Sequence, residues 1–114
     1  MKIGIDIRNI GKKRTGDEVA FFNLVVHLAR LDSQNQYLLF TDIIDADSLK
    51  SIAHDLGIEQ KYNFKIISLQ TNNRFTWNLF TLPRYLRLHP VDIYHTQYIT
   101  PFFVSRKIKI ITTI

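Results

Sequence analysis

The sequence predicts an α/β domain built on a Rossmann-like parallel sheet of about five strands with flanking helices. Three observations carry this reading. Lys2 to Ile7 is a short apolar run with a β-branched bias, and a Gly-containing loop and a long stretch of helical spacing follow it. Strand-like and helix-like runs then alternate along the chain, which is the pattern of parallel strands joined by crossover helices. The runs IIS, IYH and IKIITTI are almost continuously apolar or β-branched, as expected of strands covered on both faces.

Strand one is Lys2 to Ile7. Helix one spans Asp17 to Leu31. Asn23, His27 and Arg30 form a narrow polar stripe on it, and Phe21, Phe22, Leu24, Val25, Val26 and Leu28 predict burial over a wide face. The turn cluster Asp32-Ser33-Gln34-Asn35 leads into strand two, Gln36 to Thr41. Asp45 or Asp47 caps helix two. Leu49, Ile52, Ala53 and Leu56 line its apolar face, and Gly57 stops it. Strand three is Asn63 to Leu69. Arg74 to Leu88 is helical in part, with Phe75, Leu79, Leu82 and Leu86 on one side, and Pro83 must kink or restart it. Strand four is Asp92 to Thr96, and strand five is Lys107 to Ile114.

A chain of 114 residues holds one domain or less. It has no cysteine, which excludes a disulfide scaffold, thiol catalysis and Cys-ligated metal. The four histidines have no metal-ligand spacing, so neither a metal nor a cofactor is expected. Met1 leads straight into a strand that Asp6 interrupts, so no signal peptide is expected. No run approaches the roughly 18 apolar residues of a membrane span. The expected location is cytoplasmic.

The net charge of +5 is unevenly spread. Lys12, Lys13 and Arg14 sit together, and Arg74, Arg84, Arg87 and Arg106 accompany an aromatic-rich region. Phosphate-bearing ligands and an anionic membrane surface both suit this pattern. Nucleic acid does not, because no basic residue repeats along one helix face and no nucleic-acid-binding motif is present.

The candidate site lies at the carboxyl ends of the strands, where open α/β sheets bind ligands. Gly11 and Gly16 flank Lys12, Lys13, Arg14 and Thr15 between strand one and helix one. Such a loop offers backbone N–H groups, cations and a helix N-terminus to an anion; the plainer reading is a solvated surface loop. Asp6 and Arg8 at the end of strand one form either a structural pair or part of a cleft. His95 ends strand four, with Gln97 just beyond, and alternation sets Ile93 and His95 on the side opposite Tyr94. His27, His54 and His89 read as surface residues. Trp77, Phe75, Phe80 and Tyr85 beside Arg74, Arg84 and Arg87 form a basic aromatic segment. It is either a half-buried helix with a basic rim or a peripheral contact with the inner face of a membrane.

Several of these segments together resemble a family. MKIGIDIRNIG, the Thr15-Gly16 pair opening helix one, and NLVVHLARLDSQNQYLLFTD look like the start of retaining glycosyltransferases of family 4, group 1 type, which have the GT-B fold. WNLFTLPRYLRLHPVDIYHTQYITPFFVSRKIKIITTI is similar to a later pattern of that family. There a Trp-containing helix precedes Leu-Pro, an Asp-aliphatic-aromatic-His strand end, a proline, and a strand ending in Thr. Asp17-Glu18-Val19 departs from the family, which often carries a second glycine-rich element and an aromatic residue at this helix start.

The resemblance implies the first part of a GT-B N-terminal domain over residues 1–114. This is the acceptor-side half of an enzyme that moves a sugar from a nucleotide-sugar donor to a sugar or lipid-linked acceptor. The family's His-Asp pair and its nucleotide-sugar domain lie beyond the sequence. Catalysis by this chain alone is therefore not expected, and no catalytic residue is assigned. The substrate-binding residues expected are Gly11, Lys12, Lys13, Arg14, Thr15, Gly16, His95 and Gln97. The last strand, with Ile108, Ile110 and Ile111, is expected to be poorly covered and to invite self-association. The alternative is a stand-alone Rossmann-like binding or interaction module without catalysis.

Overall fold

A computed structural model of the chain describes residues 1–8, 10, 16–71, 73, 76–97 and 108–113, with the backbone alone for residues 16, 17, 78, 79, 97, 112 and 113. The elements in order are β1 (Lys2–Asp6), α1 (Gly16–Leu31), β2 (Gln36–Thr41), α2 (Ala46–Leu56) and β3 (Phe64–Ser68). A π-helical turn (Trp77–Thr81) then runs into α3 (Leu82–Leu88), followed by β4 (Ile93–Gln97) and β5 (Lys109–Thr113). The strands form one parallel sheet in the order β3-β2-β1-β4-β5. The chain therefore builds outward from β1 in one direction through β2 and β3. It then returns to the other side of β1 with β4 and β5.

Strand alternation divides the core into two layers. Ile5, Tyr37 and Leu39 meet Phe21, Val25 and Ala29 of α1 and Ile52 and Leu56 of α2. On the opposite face, Phe40 and Tyr94 meet Trp77, Leu82 and Leu86. Gly4 lies on this second face, between two rings. A Cβ there would stand 2.9 Å from Phe40 Cε2 and 3.1 Å from Tyr94 Cδ1, so only hydrogen fits.

The caps follow the sequence closely. Asp45 accepts from the Ser48 backbone N–H at 2.9 Å and begins α2. Gly57 ends it at φ 75°, where a side chain would be strained. A second polar cluster closes the opposite, amino end of the sheet. Asp32 accepts from Asn35 and from the Tyr37 hydroxyl at 2.6 Å. These donors hold the Asp32 carboxyl well below the usual carboxylate range. Burial, and then the bond to Asp32, push the Tyr37 hydroxyl up to about 12.

Two expectations need correction, and a third is met. Only Glu18, Phe21, Val25 and Ala29 of α1 are fully buried among its described side chains, while Phe22, Leu24, Val26 and Leu28 are partly covered. One sheet face offers a single groove to this helix, so a narrower stripe is sealed than its composition predicts. Pro83 restarts the helix, as expected. Lacking an N–H, it sits in the first turn of α3, and the turn before it widens so that Leu82 N bonds Trp77 O. Finally, Ile108 is buried under the α3 layer and Ile110 packs against it, whereas Ile111, on the other face, is half exposed. The strand bounds otherwise differ by a residue or two at the ends.

Candidate functional site

Strand order reverses at β1, so the carboxyl ends of β1 and β4 lie side by side with their onward connections leading apart. This is the switch point where open α/β sheets leave a crevice. β1 leads toward Gly11–Gly16, and β4 closes on Gln97.

A compact polar group lies beneath these two strand ends. Asp6 is buried, and its carboxylate accepts from the Arg8 backbone N–H at 3.0 Å. It also accepts from Arg8 Nε at 3.0 and 3.2 Å and from Arg8 Nη2 at 2.8 Å. The two-pronged contact matches the planar fork of a guanidinium to the two oxygens of a carboxylate. Thr96 Oγ1 donates to Asp6 Oδ2 at 3.0 Å and so ties β4 to β1 across the switch point. The Arg8 guanidinium carbon lies 4.5 Å from the centroid of the Trp77 ring, a cation–π arrangement. Asp6 neutralises Arg8, and Trp77 fixes its plane.

The Tyr94 hydroxyl and Trp77 Nε1 complete the group. Both atoms are buried and neither has a partner in good hydrogen-bond geometry. Burial pushes the Tyr94 hydroxyl well above its ordinary value, and the Asp6 charge adds to this. Arg8, Thr96 and Trp77 oppose it without prevailing. Tyr94 is therefore a neutral hydroxyl across the physiological range.

His95 occupies the other face of β4. Its neighbours across the sheet are Ile5 of β1 and Ile111 of β5. Its ring lies against Phe21 of α1, with centroids 5.1 Å apart and planes at 50°. The residue is half buried, and desolvation lowers its pKa, so the neutral imidazole prevails at pH 7. A neutral imidazole has one donor and one acceptor nitrogen and no charge to attract an anion. His95 is thus neither sealed in the core nor part of the Asp6–Arg8 group.

The other sequence-derived positions are divided. Gly16 is the first residue of α1, and Gln97 is the last of β4. Gly11, Lys12, Lys13, Arg14 and Thr15 lie outside the described residues, as do Arg74, Phe75 and Arg106. His27 and His54 are on the surface, bonded to the Asn23 carbonyl and to Glu59 respectively. His89 is exposed and lies against the Tyr85 ring.

Sequence reasoning missed the partnership of Trp77 with Arg8, and it missed Thr96 altogether. A signal for Thr96 was present, since Tyr94 and Thr96 alternate on the face opposite His95. For Trp77 there was none, because its meeting with Arg8 depends on which sheet face α3 covers. Among the described residues no cluster of His, Asp or Glu could hold a metal ion. No helix among them is long and apolar enough to cross a membrane. No protein-family model, curated protein or solved structure matches the chain.

Proposed function

We propose that this chain is the acceptor-side half of a retaining, nucleotide-sugar-dependent glycosyltransferase. The observation that supports the reading best is the switch point. The two chain departures that the family resemblance marks as substrate-binding, Gly11–Gly16 after β1 and Gln97 after β4, leave from adjacent strand ends. The Asp6–Arg8–Thr96 group stiffens the floor below them. A site that must orient an acceptor hydroxyl toward a sugar needs such a floor, because small errors of placement cost large factors in rate.

Within this reading the residues divide the labour. Lys12, Lys13 and Arg14 attract phosphate on the donor or on a lipid-linked acceptor. His95, neutral and half buried, takes a hydrogen bond from an acceptor hydroxyl or gives one to it.

The test is a nuclear magnetic resonance titration of the chain with nucleoside diphosphates and, separately, with phosphorylated sugars. Shifts should gather at Gly16, His95 and Gln97. Phosphorylated sugars should move the His95 ring, and replacing Lys12, Lys13 and Arg14 with Ala should weaken both series. If phosphorylated sugars leave His95 untouched while nucleotides still bind, the stand-alone binding module is the better reading. If neither ligand acts at these positions, the site assignment fails.

A further inference from the structure

We propose that the outer face of α3 is a docking surface for an anionic lipid bilayer. The inward side of this segment is settled. Leu82, Pro83 and Leu86 are buried, and Leu82 and Leu86 pack with Trp77 against the sheet. At helical spacing the opposite side carries Phe80, Arg84, Arg87 and Leu88. Phe80 is 66% exposed and Leu88 68%, and both arginines are exposed. The two apolar side chains stand about two turns apart and bracket the two cations.

Charge supports the choice of partner. Between Glu59 and Asp92 the sequence has no carboxylate, while Lys61, Lys65, Arg74, Arg84 and Arg87 all fall there. Lys65 is exposed on β3, on the same sheet face as Ile67, which packs under the α3 layer. An acid-free stretch of this kind has nothing to repel an anionic surface. An interfacial helix needs cations at headgroup level and apolar side chains reaching the acyl boundary, and arginine stems extend to serve both depths. A soluble polyanion would satisfy Arg84 and Arg87 but leave Phe80 and Leu88 in water. The interleaving of both kinds therefore favours lipid.

The proposal does not rest on the transferase reading. It does carry a geometric consequence for it. Trp77, at the start of the π-helical turn, touches Arg8 beneath the switch point, and Phe80 follows within one turn. Docking through Phe80 would set the bilayer against the same helical turn whose Trp77 holds Arg8.

The experiment is co-sedimentation of the chain with vesicles of phosphatidylcholine alone and of phosphatidylcholine with phosphatidylserine. Binding should appear on the anionic vesicles and weaken as salt is raised. Each cation near an anionic leaflet contributes about fivefold, so R84Q/R87Q should lower the partition coefficient by about twenty-fivefold. F80S/L88S should also lower it, with the charge unchanged. All four side chains are solvent-facing, so Trp77 fluorescence should report an unaltered fold in each variant. Equal binding to neutral vesicles, or no binding to either, overturns the proposal. So does an F80S/L88S variant that binds as well as the parent, which would point to a soluble polyanion as the partner.

Discussion

Replacing Arg8 with Met should destabilise the fold by about 4 kcal/mol. The substitution keeps most of the side-chain volume over Trp77 and removes the guanidinium. Asp6, only 6% exposed, would lose its two-pronged partner and keep the Arg8 backbone N–H and the Thr96 hydroxyl. Breaking a buried pair by deleting one partner typically costs about 3–5 kcal/mol. The two surviving bonds, and the 15% exposure of Arg8, place this site at the low end of that range. Loss of the cation–π contact adds about 0.5–1 kcal/mol.

For a domain of this size, the total should lower the melting temperature by about 15 °C. Urea unfolding followed by fluorescence is the natural assay. Trp77 is the sole tryptophan and lies under the guanidinium, so local and global changes are read by one probe. Asp6→Asn combined with Arg8→Met should recover part of the loss, because no charge is then left buried. A cost under about 1 kcal/mol for Arg8→Met alone would refute the reasoning. It would mean that water already carries the Asp6 charge.

Two further outcomes can be checked on the same instrument. Gly4→Ala should cost about 1–2 kcal/mol. Phe40 cannot simply retreat, because its ring also meets Tyr85 edge-on at 5.4 Å; an alanine variant as stable as the parent would show that the rings do give way. Stability should also fall on the alkaline side. The Tyr37 proton is held to about 12 in the fold and leaves near 10 in the unfolded chain, so the loss begins above pH 10 and is complete above pH 12. The two-unit gap corresponds to roughly 2–3 kcal/mol. Tyr85 and Tyr94 are raised as well, so Tyr37→Phe should lessen the slope by about one proton without abolishing it.

The strands and the first two helices could be read from the sequence because each announces itself locally. β-branched runs, the Asp45 cap and Gly57 need no knowledge of distant residues. The order of strands in the sheet was not legible, because nothing local tells β4 to add beside β1 and not beside β3. The floor of the site was hidden for the same reason. Asp6 and Arg8 are two residues apart and suggested themselves, but their third and fourth partners arrive from Trp77 and Thr96. The π-helical turn was half visible: Pro83 signalled a disturbance, and its position in the first turn of α3 decided that the ladder widened upstream.

The placement of β1 has a consequence for how the chain acquires its shape. The first of the five strands to be made is the centre of the sheet, yet one of its two neighbours is the fourth. The Asp6–Thr96 bond spans 90 residues. During synthesis, β1, β2 and β3 with their two helices can assemble early, leaving one flank of β1 with unpaired N–H and C=O groups until β4 emerges. Contacts this far apart in the chain form slowly, and an unpaired central strand is a template for the wrong partner. Chaperone dependence should therefore concentrate in that interval, and substitutions at Thr96 should lower both the yield of folded chain and its stability once formed.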